Sequence, residues 1–505
     1  MVGLCMGVHA ETPHTKDFEV KAMYVDFRTE VHTVESLKAL ARQVADAGFN
    51  AMIMEYEATF PFEKHATLKN RYAFTKDEIR DLVAYCGSLG LDVIPLQNCM
   101  GHAQYILRHD RYAALREDPK DMSQVCPMEI EKARPVFKEI FGEVAALHPS
   151  RYFHIGCDET FLLGSCDKCR EYSDEHGKSS LFVGYVNEMC AIVREMGKIP
   201  VIWADIILKH PECVGDLPDD LVFIDWNYGW DVNRFGKVSN LTDAGVKMWG
   251  ATALRSGPDN LYLTQWKKHF DNLRDFVPHA RQSGYTGMVQ TSWSTSGAYS
   301  YNYNTGNEVM QMFPTRSVYP ESGFNILIAA TSWAFNHEEP LDPEAFVHEY
   351  AKEKYGFDDR AADVLWKYFC MPQNRVSTVS GKDADGVGIA DLVAQCKAMR
   401  KDLDSLRPKS CKSEIDHFKL MLDIRTNYLE FKECEYEFES PSYSESDRAG
   451  LAARMDRICQ DGEKIDRRLA RLNRHYLKPG EIEYLKSVRG DKMNAFLKAL
   501  TADPS

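Results

Sequence analysis

A chain of 505 residues with 61 Lys and Arg against 75 Asp and Glu carries a net charge of −14, which disfavours nucleic acid and anionic membranes as partners. Its 44% hydrophobic and 27% charged residues are the balance of a globular protein with room for one large domain and a second, smaller one. No run of about 18 apolar residues occurs, so no membrane span is expected.

Residues 1–19 read as an N-terminal extension. Val2 to Ala10 is apolar and ends on a small residue, like the tail of a secretory signal, although a basic start is missing. Export, to a periplasm or beyond, is the first expectation for location, with the cytoplasm as the alternative. The 14 Cys are not a disulfide framework, because Cys86, Cys190, Cys370 and Cys396 lie inside apolar runs.

From residue 20 to 338, short apolar runs alternate with amphipathic helical segments. Strands are expected at 22–27, 51–55, 92–96, 152–156, 200–203, 222–226, 246–249 and 287–293, with helices at 34–47, 76–89, 130–147 and 181–196. Thr75 followed by Glu78 forms a capping box, and Gly48 and Gly197 stop their helices. Eight strands with intervening helices predict an α/β fold, a (β/α)8 TIM barrel. A doubly wound open sheet competes, but no Gly-rich phosphate loop follows the first strand. Over 339–505 the alternation stops and a helical C-terminal domain is expected, with segments at 344–355, 360–369, 389–406, 414–437 and 448–477. Phe418, Leu420, Met421, Ile424 and Tyr428 mark one apolar face. Packing on the barrel is its expected role, and a homodimer surface the alternative.

A barrel of this type gathers its chemistry at the C-terminal ends of its strands. Asp158 and Glu159 follow the fourth strand. Two adjacent carboxylates in a closed pocket cannot both stay ionised without a cationic partner, so one is expected to hold a proton and act as general acid. Asp26, Arg28, Glu55, Glu57, His102, Trp203, Asp205, Trp226, Tyr228, Trp249 and Trp293 recur at the same end of the other strands. Taken singly, each is as compatible with a solvated turn, a structural histidine or core packing. A metal-dependent site built on Glu57, His102 and Asp205 is a competing arrangement.

The series His154-Ile-Gly-Cys-Asp-Glu159 with Leu162-Leu-Gly164, Met54-Glu-Tyr-Glu57 with Phe60-Pro-Phe62, Val93-Ile-Pro-Leu96 with Gly101-His102-Ala103, Val201-Ile-Trp203, Trp249 and Thr291-Ser-Trp293 resembles glycoside hydrolase family 20, the β-N-acetylhexosaminidases, and within it the hexosaminidase D branch. The resemblance covers about residues 20–335 in order. It implies exo-acting, retaining, substrate-assisted hydrolysis of a glycan ending in β-linked GalNAc or GlcNAc, without a cofactor or metal. Asp158 would orient the acetamido group and Glu159 would serve as acid and then base. His102 would tie an upstream carboxylate, Glu57 before Glu55, to the catalytic end. Trp203, Trp226, Trp249 and Trp293 would wall the pocket. Two departures stand out. Lys21 occupies the place of a sugar-gripping Arg, for which Arg28 is the substitute. Gly250 occupies the place of a Tyr, for which Tyr228 and then Tyr301 are the substitutes. These leave the choice between the two sugars open, with hexosaminidase D favouring GalNAc, and they motivate an alternative in which the barrel binds acetamido sugars without turnover. Cys166-Asp-Lys-Cys169 is expected to be a loop disulfide or two free thiols.

Overall fold

The structure is a computed structural model that describes residues 17–256, 259, 264–294 and 318–502. The N-terminal segment 1–16 and Tyr301 lie outside the described residues. Eight parallel strands close into a barrel in chain order: β1 (Val20–Asp26), β2 (Ala51–Glu55), β3 (Asp92–Leu96), β4 (Tyr152–His154), β5 (Ile199–Trp203), β6 (Val222–Trp226), β7 (Lys247–Arg255) and β8 (Gly287–Ser292). Val20 of β1 pairs with Gly287 of β8, which closes the cylinder.

Alternation along each strand sorts the side chains. Ala22, Tyr24, Ile53, Ile94, Trp203, Ile224, Ala251 and Val289 fill the interior, while Met23, Val25, Met52 and Met54 face the surrounding helices. Helix Lys76–Ser88 begins at the expected capping box: the Glu78 N–H donates to Thr75 Oγ1 at 3.1 Å and the Thr75 N–H to Glu78 Oε2 at 2.7 Å.

Two strands differ from expectation. β4 stops at His154, freeing the following residues for a loop. β7 does not stop at Trp249 but runs on to Arg255. Gly250, which occupies the place of a family Tyr, lies inside this longer strand. Here it is a close approach, because a Cβ there would sit 2.7 Å from Met288 Sδ and 3.1 Å from Phe276. At the far end of β7, Arg255 is wholly buried against Glu30 (2.7 Å) and Glu321 (3.7 Å).

The C-terminal part comprises helices Pro343–Tyr350, Asp359–Phe369, Ile389–Ser405, Lys412–Phe438, Arg448–Asn473 and Glu481–Thr501. The last of these, and a small ribbon of Val376–Ser377 against Lys382–Asp383, were not foreseen. Trp266, which opens the helix before β8, stacks on Phe324 at 5.1 Å and meets Phe369 at 4.8 Å and Phe418 at 5.5 Å. A second seam is backbone to backbone: Thr33 N–H donates to Tyr476 O (3.0 Å) and Lys478 N–H to Val31 O (2.8 Å). Among the described residues no helix is long and apolar enough to cross a membrane.

Candidate active site

The loop after β4 places Asp158 and Glu159 at the barrel mouth through an unusual backbone. Cys157 (φ 73°) and Glu159 (φ 49°) are left-handed, as are His102 (φ 53°) after β3 and Glu57 (φ 45°) after β2. Four of the five non-glycine residues of this kind among the described residues thus lie at one end of three adjacent strands. Each costs about 1–3 kcal/mol, so the surrounding packing must hold the site under strain. Part of that packing is Gly101, whose missing Cβ would stand 2.0 Å from Asp158 O.

His102 Nε2 lies 3.3 Å from Asp158 Oδ2 and 3.2 Å from Glu159 Oε2. Burial alone disfavours its charged form, but the charge and hydrogen bond of Asp158, helped by Glu159, hold its pKa well above the ordinary imidazole value. Burial likewise raises the Asp158 carboxyl, and His102 outweighs it, leaving Asp158 below its usual range. The cationic partner that an adjacent carboxylate pair requires is therefore His102. Asp158 Oδ1 is buried and accepts no hydrogen bond, whereas the Glu159 side chain keeps 34% of its surface exposed. An ionised oxygen without a donor next to a reachable carboxyl is an arrangement waiting for an N–H group.

Asp205, at the start of helix Asp205–Lys209 after β5, accepts the Glu159 N–H at 3.2 Å. Burial first, then the Asp158 charge, push its carboxyl up to about 7.

On the β1–β2 side, Arg28 grips Asp26 through Nε (3.0 Å) and Nη2 (3.1 Å) and reaches Glu55 at 3.4 Å. Asn98 Nδ2 donates to both Glu55 Oε1 (2.6 Å) and Glu57 Oε1 (2.8 Å), and Tyr24 donates to Glu55 Oε2.

The aromatic residues form a continuous run. Tyr24 lies 4.7 Å from Trp293, which is 5.7 Å from Trp203; Trp293 Nε1–H donates to the Tyr228 hydroxyl at 2.8 Å; Trp226 lies 5.3 Å from Tyr228. Burial raises the Tyr228 hydroxyl pKa, and the charges of Asp158 and Glu159 add to it, so it sits within their field. The buried Trp226 Nε1–H has no acceptor.

The structure corrects several expectations. His102 does not tie Glu57 to the catalytic end. It bridges Asp158 and Glu159, and Asn98 takes the position beside Glu57. Trp249 is not at a strand end: it pairs in register with Gly287, the first residue of β8, and its ring packs edge-on to Tyr152 at 5.0 Å in the barrel floor. Lys21 turns outward at the base of β1, where Nζ meets Asn336 Oδ1 at 2.6 Å and Asp17 at 3.0 Å, so it cannot stand in for a sugar-gripping Arg. The trio of Glu57, His102 and Asp205 is not assembled. The cluster that is assembled is His102 with Asp158 and Glu159, whose ligand atoms lie within 4.8 Å of one another. Tyr24 and Asn98 were missed, Tyr24 because an interior strand position looks like core, and Asn98 because a lone amide after a strand carries no pattern.

Residues 27–316 match the family model described as "Glycosyl hydrolase family 20, catalytic domain". The chain belongs to glycosyl hydrolase family 20. It is similar to hexosaminidase D of Bos taurus, 27% identical over 263 residues, covering 49% of this chain and 76% of that protein. It is also similar to hexosaminidase D of Homo sapiens, 26% identical over 302 residues, covering 56% of this chain and 62% of that protein. The fold resembles the β-N-acetylhexosaminidase from Bacteroides fragilis NCTC 9343 with a TM-score of 0.50 at 17% identity, over 70% of this chain and 71% of that one. This family 20 member is accordingly a glycoside hydrolase of the β-N-acetylhexosaminidase class, with Asp158 and Glu159 inside the matched region.

Proposed function

We propose that this enzyme removes terminal β-linked 2-acetamido sugars one at a time, with retention of configuration, by substrate-assisted catalysis, and that it accepts GalNAc ahead of GlcNAc. The observation that carries this is Asp158 Oδ1, an ionised oxygen buried without a donor beside the accessible Glu159. The acetamido N–H donates to that oxygen, which aims the acetamido carbonyl oxygen at the anomeric carbon. Attack breaks the glycosidic bond and leaves an oxazolinium ion, whose positive charge the Asp158 carboxylate balances. Glu159 gives its proton to the departing oxygen, then takes one from the water that reopens the ring, and two inversions sum to retention. Trp203, Trp226 and Trp293 supply apolar walls, Tyr228 adds a hydroxyl, and Arg28 with Glu57 faces the sugar hydroxyls. GalNAc preference rests on likeness to the hexosaminidase D relatives alone.

Aryl N-acetyl-β-galactosaminide and N-acetyl-β-glucosaminide, each beside its non-acetylated counterpart, test this. Turnover should need the acetamido group. Glu159→Gln should lower kcat by about 10²- to 10⁴-fold, and Asp158→Asn should lower turnover of the acetamido substrates while leaving the need for that group intact. An unimpaired Glu159→Gln variant rejects the mechanism. The competing reading is a non-catalytic sugar-binding barrel, although Lys21 and Gly250, whose identities first suggested it, lie outside the pocket. Tight calorimetric binding of an intact acetamido glycoside without product would establish it.

A further inference from the structure

Spacing alone favours a loop disulfide or two free thiols for Cys166 and Cys169, but the fold adds a third thiol and a carboxylate from the preceding βα loop. Cys126 Sγ lies 3.6 Å from Cys166 Sγ and 3.4 Å from Cys169 Sγ, and Glu117 Oε2 lies 3.2 Å from Cys169 Sγ. All four ligand atoms fall within 4.8 Å of one another. The separations are far beyond the about 2.05 Å of a disulfide. Around a tetrahedral zinc, sulfurs bound at about 2.3 Å stand about 3.8 Å apart, so the cluster already has nearly that spacing.

The surroundings point the same way. Glu117 is 1% exposed, and its hydrogen-bond donors are neutral: the Ser165 N–H (2.7 Å) and Cys166 N–H (2.9 Å) on Oε1, and a thiol on Oε2. A carboxylate buried among neutral groups calls for a cation. Cys169 N–H donates to Cys166 Sγ at 3.3 Å, and Cys166 caps helix Asp167–His176.

We propose that Glu117, Cys126, Cys166 and Cys169 bind one structural zinc ion. Three soft thiolates select zinc over magnesium or calcium, and a full set of four protein donors leaves no open position for chemistry. The ion would join the loop after β3 to the loop after β4. These already meet through Leu162 N–H donating to Gln124 Oε1 at 2.8 Å. His102 rides on the first loop and Asp158 with Glu159 on the second, so the ion would fix their mutual placement without touching substrate.

The test uses the full chain, purified reduced and without chelator, and equilibrated with zinc or cobalt(II) salts. Mass spectrometry of the metal content should give about one zinc per chain, and cobalt should show thiolate charge-transfer and intense tetrahedral bands. Glu117→Gln, which preserves shape, and the partly exposed Cys166→Ser should each weaken zinc retention against a chelator by at least about tenfold. Chelation should also open the 104–126 segment to protease in the wild type. No zinc uptake by the reduced folded chain, a Cys126, Cys166 or Cys169 disulfide in the freshly purified protein, or unchanged zinc content in a Cys126→Ser/Cys169→Ser double variant would each overturn the assignment.

Discussion

Gly101→Ala probes the contact that sets the catalytic loop. The added Cβ would stand 2.0 Å from Asp158 O, and since such contacts essentially never fall below 3.0 Å, one of the two backbones must give by about 1 Å. Both carry reacting or bridging groups, so the shift falls on the His102 to Asp158 distance of 3.3 Å and on the aim of Oδ1. A misplacement of about 1 Å costs roughly 10²-fold in rate, or about 2.7 kcal/mol of barrier. The assay is kcat and KM on an aryl N-acetyl-β-hexosaminide, with circular dichroism and thermal unfolding as folding controls. kcat should fall by about 10² while the variant stays folded. A folded Gly101→Ala enzyme with wild-type kcat would show that the two loops are not set by this contact.

Asp205→Asn should change how stability depends on pH. The folded carboxyl titrates at about 7 and an unfolded one near about 3.9. Between those values the native state holds the extra proton, so wild-type stability falls as pH rises from 4 toward 7 and stays reduced above. The Asn variant lacks that loss and should gain on wild type by up to about 4 kcal/mol between pH 4 and 8, followed by thermal or urea unfolding; a pH-independent difference refutes it. Trp249→Ala, at a wholly buried position, should cost about 3–5 kcal/mol of stability with KM unchanged, and a raised KM would return Trp249 to the sugar pocket. Arg255→Met removes the cation from buried Glu30 and Glu321 and should destabilise by about 3–5 kcal/mol by chemical denaturation.

All eight strands were legible, because each buries both faces and so reads as an apolar run bounded by turn residues. The acidic pair was legible for the same reason: Asp158 and Glu159 follow such a run at the end where this architecture exposes side chains. Depth was not legible. Trp203 and Trp249 look alike in sequence, each preceded by apolar residues, yet one lies beneath the mouth and the other in the floor, because only the register of β7 against β8 decides how far a strand continues. Partners distant in sequence were hidden as well. Nothing near His102 says that it reaches the β4 loop rather than Glu57, and nothing near Cys166 announces Cys126 and Glu117. Orientation failed at Lys21 because alternate residues of β1 face opposite sides, and an odd step puts a cation outside.

The seam between residues 31–36 and 476–478 bears on how this protein can be dissected. The last helices return to the first βα turn, so residues 31–36 and 476–478 are held together across 440 or more positions. A fragment cut after the eighth strand's helix would lay bare Trp266 and Phe324 and strip hydrogen bonds from the stretch that follows Arg28. Expression of such a minimal enzyme should yield aggregates, and mutations in the distant C-terminal helices should register in catalysis through the entrance they brace.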